Sequence, residues 1–193
     1  MRSALLTVLF STLVSAACPV PLLVDDYTNL KTTGINAVGA FAFDDATCGN
    51  LTAGNKTLGL TPGSNKCYYY TNFPKSKPED ATGGNRTALT FTVDAPTSNW
   101  SFKVNIKSWN GTKLADSYIT ATGANSGLQN VSLPLASFLG PDVPNLRNIR
   151  SFVFESFSTL DQVWTLGALS LSCATKVPRT ESLLHCRVMA RLT

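Results

Sequence analysis

The chain has a single histidine, His185, near its C-terminal end. Without a histidine in the body, no Ser-His or Cys-His nucleophile pair can be assembled there. A His-based zinc site is excluded for the same reason, and the five cysteines show no CxxC spacing. Charge is sparse, at 15% of residues. From Cys18 to Cys173 eleven Lys/Arg face eleven Asp/Glu, so the body is neutral. The formal +4 comes from Arg2 and from Lys176, Arg179, Arg187 and Arg191 against Glu181. A neutral body has no electrostatic footprint for nucleic acid or anionic lipid, since both need clustered basic residues. No stretch of the body carries a sustained apolar stripe at helical spacing. No apolar run approaches the about 20 residues of a membrane-spanning helix, so no membrane span is expected. Internal repeats and Ser/Thr/Pro-rich linkers are lacking too.

What is present begins at the N-terminus. Arg2 precedes an apolar run over 4–14, which ends in Ser15-Ala16-Ala17. A charged start, a short apolar stretch and a small-residue cleavage site describe a secretory signal peptide over 1–17. Six N-glycosylation sequons follow, at Asn50, Asn55, Asn85, Asn99, Asn110 and Asn130. That density suits a secreted glycoprotein surface. The expected setting is extracellular or cell wall. An apolar fraction of 44% is enough for a core, so one domain is expected over 18–173.

Alternation with period two runs through that domain. Leu89, Phe91 and Val93 share one face, and Trp100, Phe102, Val104 and Ile106 another, opposite Ser101, Lys103, Asn105 and Lys107. Half-buried antiparallel strands have this pattern. Further strands are predicted over 21–25, 39–43, 56–60, 66–71, 113–120, 129–133, 149–157, 162–166 and 168–173. Turn signals such as Pro62-Gly63, Gly83-Gly84-Asn85, Asn110-Gly111 and Gly140-Pro141 separate them. Many short strands with regular turns predict an all-β sandwich or barrel. The alternation stops after Cys173. Residues 174–193 turn basic and are expected to form a disordered tail; Leu184, Val188 and Leu192 sit four apart and allow a short helix, but a lone helix this short is marginal in water.

Two chemistries can be built from the body. Asp25/Asp26 and Asp44/Asp45 are paired carboxylates of the kind a glycosidase or lyase uses. Adjacent strand residues point to opposite faces, however, so neither pair acts as a unit unless the backbone bends. The same acids, with Asn29, suit a structural calcium, which takes six to eight oxygen ligands. The alternative is that they form Asx-turns at strand ends. Exposed aromatics are the second handle, as stacking platforms for sugar rings. Of Tyr68, Tyr69 and Tyr70, at least one faces away from the other two. Trp109 lies beside the Asn110-Gly111 turn, more open to a ligand than mid-strand Trp100. Trp164, between Val163 and Leu166, reads as core.

The run Leu23-Val24-Asp25-Asp26-Tyr27, then Asn29, Asn36-Ala37-Val38-Gly39 and Asp44-Asp45, resembles the opening of a group of secreted fungal proteins. These carry a galactose-binding-like jelly-roll domain, related in architecture to carbohydrate-binding modules. Leu166-Gly167-Ala168-Leu169-Ser170-Leu171-Ser172-Cys173 is similar to their closing strand. The resemblance covers roughly 20–173. It departs from the pattern at Val38, where Leu is usual, and at Ala46, where Gly often follows the acids. It implies a jelly-roll β-sandwich in a secreted setting. Export favours disulfides. Cys18 and Cys173 bracket the body and Cys48 and Cys67 a Gly/Asn-rich excursion. Those are the expected pairs, with Cys186 unpaired, and neighbouring terminal strands of a jelly roll would be tied by the first. Together these readings predict a monomeric, non-catalytic module that binds a polysaccharide or cell-wall glycan through Tyr68, Tyr69, Tyr70 and Trp109. An effector-like protein that recognises another protein is the runner-up, and a polysaccharide-active hydrolase or lyase comes third.

Overall fold

A computed structural model describes residues 20–44, 48, 51–54 and 56–173, with Phe43 and Asp44 described by backbone alone. The segments 1–17 and 174–193, together with Cys18, Asp45, Asn50, Asn55 and Cys186, lie outside the described residues.

Among the described residues, twelve strands make two sheets. The first seven are β1 (Leu22–Asp25), β2 (Ala42–Asp44), β3 (Leu51–Gly54), β4 (Thr57–Leu60), β5 (Tyr68–Asn72), β6 (Ala88–Ala95) and β7 (Trp100–Trp109). The rest are β8 (Leu114–Gly123), β9 (Gly127–Pro134), β10 (Ile149–Glu155), β11 (Trp164–Gly167) and β12 (Leu169–Ser172). A seven-stranded sheet runs β1-β12-β6-β11-β4-β3, with β9 on the other side of β6. A five-stranded sheet runs β2-β5-β10-β7-β8. All pairings are antiparallel. Helix among the described residues is limited to short 3-10 turns such as Leu135–Ser137. The chain is an all-β sandwich, as the alternation predicts. The strand that escapes sequence reading is β3, whose four residues sit in a Gly/Asn-rich segment and pair only with β4.

Both inner faces are apolar. Leu89, Phe91 and Val93 of β6 meet Phe102, Val104 and Ile106 of β7 and Phe152 and Phe154 of β10, all 5% exposed or less. Aromatic rings cross the gap between the sheets. Phe91 is edge-on to Phe154 at 5.4 Å between centroids, and Trp164 is edge-on to Phe102 at 5.8 Å. Trp100 and Trp164 are both core. Gly123 is the cross-strand partner of Trp100, and a Cβ there would fall 2.4 Å from the indole. Only glycine lets the ring lie down on the neighbouring strand.

Cys48 and Cys67 form the expected disulfide, with Cα atoms 4.5 Å apart and both residues buried. Cys173 is disulfide-bonded as well, while its expected partner Cys18 lies outside the described residues. The free edge of β8 is covered by the returning chain. Tyr118 and Leu139 exchange backbone hydrogen bonds of 2.6 and 3.0 Å. Asp142 accepts from the Asp116 N–H through its carboxylate and from the Ser117 hydroxyl through its carbonyl, and it pairs with Lys113 at 2.8 Å.

Candidate functional site

The outer face of the five-stranded sheet gathers most of the exposed aromatics. Alternation turns Tyr68, Tyr70 and Asn72 of β5 outward, while Tyr69 and Thr71 point into the core. The registers then arrange the outward residues in rows across the strands. One row is Tyr68–Glu155–Lys103–Thr120, the next Tyr70–Val153–Asn105–Tyr118, and the third Asn72–Ser151–Lys107–Asp116. Trp109 opposes Leu114 one step further along.

Beyond the third row the face opens into a groove of about 770 Å³, whose wall includes Phe41, Asn72, Phe73, Trp109, Leu114 and Arg150. Phe41 and Trp109 are 48% and 38% exposed. Each is held through its backbone. The Phe41 carbonyl accepts the Asn72 side-chain amide at 2.8 Å. Buried Asn36 donates to the Thr71 hydroxyl and the Asn72 carbonyl, both at 2.7 Å, and accepts from the Ala40 N–H, locking the loop that delivers Phe41. The Trp109 N–H donates to the Asn148 carbonyl, and its own carbonyl accepts from the Asn145 amide at 2.8 Å.

Charges in the middle of the face are engaged. Lys107 pairs with Asp116 at 2.6 Å, and the Lys103 ammonium lies 4.8 Å from the centre of the Tyr118 ring. Asn105, recessed at 4% exposure, donates to Glu155 at 2.7 Å. The rings of Tyr68 and Tyr70 lie 6.1 Å apart. The surface therefore offers fixed aromatic faces with hydrogen-bonding groups set between them.

Sequence reasoning placed Tyr68, Tyr70 and Trp109 among the binding residues, and they share this face. Tyr69 is corrected: it is fully buried, and its hydroxyl donates to Asp25 at 2.6 Å. Phe41, Tyr118, Asn72 and Arg150 were missed. Tyr118 was legible from alternation in β8, whereas Arg150 depends on pairing irregularity that only the folded sheet reveals.

Asp25 is also corrected. It is 1% exposed and accepts from the Tyr27 N–H at 2.9 Å, the Tyr69 hydroxyl and the Thr71 hydroxyl at 3.0 Å. Burial pushes its carboxyl above the ordinary carboxylate range, against the opposing effect of those hydrogen bonds. It joins the end of β1 to β5 in the opposite sheet, leaving little of its carboxylate for a metal. Asp26 makes an Asx-turn, accepting from the Thr28 N–H at 3.1 Å. The Asp44 side chain and Asp45 lie outside the described residues. Among the described residues no group of three or more His, Cys, Asp or Glu gathers around a cation site. Because the Asp25 carboxylate is already taken by three donors, melting curves in EDTA and in calcium are expected to overlay. A calcium-dependent rise in Tm would restore a site at Asp26, Asp44 and Asp45.

Asn85, Asn99, Asn110 and Asn130 are exposed, Asn130 on the outer face of the seven-stranded sheet.

No family model matches the chain, and no curated protein matches it. Solved structures do. PfGH50B superposes with a TM-score of 0.56 at 17% identity, over 72% of this chain and 23% of that one. The family 30 carbohydrate-binding module of the cellulosomal cellulase Cel9D-Cel44B of Clostridium thermocellum gives 0.50 at 11% identity, over 70% and 92%. The likeness is one of fold. This chain spans under a quarter of PfGH50B but nearly the whole of the family 30 module.

Proposed function

We propose that this chain is an exported, non-catalytic glycan-binding or cell-wall-associated module that holds polysaccharide on the outer face of its five-stranded sheet. The observation that carries this is the gathering of Tyr68, Tyr70, Tyr118, Trp109 and Phe41 on one face, with amides and paired charges between them. Aromatic faces stack on the apolar faces of pyranose rings, and fixed amides and carboxylates grip the hydroxyls. The two carboxylates described on the face are engaged, Asp116 by Lys107 and Glu155 by Asn105, which supports binding over turnover. The fold likeness to a carbohydrate-binding module supports the same reading.

The test is retention on insoluble chitin, β-glucan and cellulose for the wild type, Trp109→Ala and Tyr70→Ala. The wild type is expected to be held by at least one of them. Each variant should weaken that retention about tenfold, as truncation of a central aromatic anchor does. Retention unchanged in both would move the site off this face. No retention on any of these matrices, together with no binding of soluble acidic oligosaccharides, would favour recognition of a protein partner.

A further inference from the structure

The groove end of the face differs from its middle in charge, and a backbone irregularity is the reason. Along β10, Ile149 pairs with Ser108 and Ser151 pairs with Lys107, so Arg150 has no opposite number on β7. One extra residue in one strand is a β-bulge, which bends the strand and re-aims a side chain. Here Ile149 turns into the core at 0% exposure, and Arg150 joins Ser151 in the wall of the groove. Strict alternation from Ser151, Val153 and Glu155 would have put Arg150 on the buried side.

The guanidinium is held in place by one bond, Nη1 donating to the Lys75 carbonyl at 2.7 Å. An arginine carries five N–H donors in a planar fork, and this one makes no ion pair with a described residue. Lys75, exposed in the same wall, makes none either. No Asp or Glu is among the residues that line the groove. The remainder of the face behaves otherwise, with Lys107 and Asp116 neutralising one another. Among the described residues, then, two cations without an acidic partner line the groove with Trp109 and Phe41, at one end of a surface whose other described charges are balanced.

We infer that this groove takes an acidic sugar: a hexuronate unit lying against Trp109 and Phe41, its carboxylate on the Arg150 fork with Lys75 nearby. The inference rests on the glycan-binding reading above and specifies one subsite within it. The Arg fork matches a carboxylate bidentately, and such charge-assisted bonds are stronger than neutral ones. Neutral sugars occupy the remaining rows, so the ligand is a polysaccharide with spaced uronates rather than a polyanion, in keeping with a neutral body.

The experiment uses acidic oligosaccharides from glucuronoxylan and from partly methyl-esterified pectin, in which free uronates are spaced, each beside its carboxyl-reduced form, with affinity read by calorimetry at low and high salt. For at least one pair the acid form is expected to bind about tenfold more tightly than the reduced form, and the advantage should shrink with salt. Arg150→Gln should bring that ratio close to one. Lys75→Gln, an exposed position whose change spares the fold, should reduce the ratio severalfold. Equal affinity for acid and reduced forms, or an acid preference unchanged in both variants, overturns the uronate subsite. If chitin, β-glucan or cellulose still retains the wild type, the general glycan reading survives that result. Failure of every oligosaccharide and every matrix overturns both readings and leaves the face to a protein partner.

Discussion

Asp25→Ala is expected to destabilise the fold by about 3–5 kcal/mol, because it orphans three buried donors at once. The Tyr69 hydroxyl, the Thr71 hydroxyl and the Tyr27 N–H all end on that carboxylate. In a domain of this size the melting temperature should fall by about 10 °C. Asp25→Asn separates hydrogen bonding from charge. The neutral amide keeps an acceptor for the Tyr27 N–H and is expected to lie much closer to the wild type. The two should also differ in pH dependence. Since burial raises the folded-state pKa of Asp25 above the ordinary 3.8, the folded protein binds this proton more tightly than the unfolded chain. Its contribution is greatest below the ordinary value and is lost as pH rises through the folded pKa. Wild-type stability should therefore carry a downward slope above about pH 4 that the Asn variant lacks. Urea unfolding across that range reads both effects. An Ala variant as stable as the wild type would remove Asp25 from the core network, and matching slopes in wild type and Asn variant would place its titration elsewhere.

Phe102→Ala carries the other large effect, about 3–5 kcal/mol, as truncation of a buried phenylalanine does. The Phe102 ring meets those of Phe91, Trp100, Phe154, Phe157 and Trp164, drawing on both sheets and on the segment after β10. None of these neighbours can close the gap without leaving its own contacts. The urea midpoint should drop with the slope m unchanged, the signature of lost stability rather than of an altered denatured state. A loss below about 1 kcal/mol would mean that the aromatic cluster repacks.

The β-sandwich was legible because most of its strands are amphipathic by alternation, with β7 the clearest example. Alternation also required the three consecutive tyrosines to divide between two faces. It did not say which faces out, because that depends on which side of β5 meets the other sheet. The acids at 25 and 26 showed the limit of composition. Carboxylates beside a strand suggest a cation, yet the first of them is a buried acceptor linking the sheets, a role written only in its distance from Tyr69 and Thr71. Arg150 was hidden for a related reason. Its outward aim follows from a mismatch with β7, and nothing in the local run Ile149-Arg150-Ser151 announces a bulge.

The covered edge of β8 bears on how such a surface behaves when many copies crowd along one polymer. An exposed strand edge is a template on which a neighbour can add a strand, and crowding favours that addition. Along Asp116–Ser117–Tyr118 the template is already used, by Leu139 and Asp142 of the same chain. Under the glycan-binding proposal, neighbours brought side by side on a polysaccharide would find no open hydrogen-bonding ladder on that stretch next to the aromatic face. On that reading, density along a polysaccharide would be set by its length and by how much of it each copy spans.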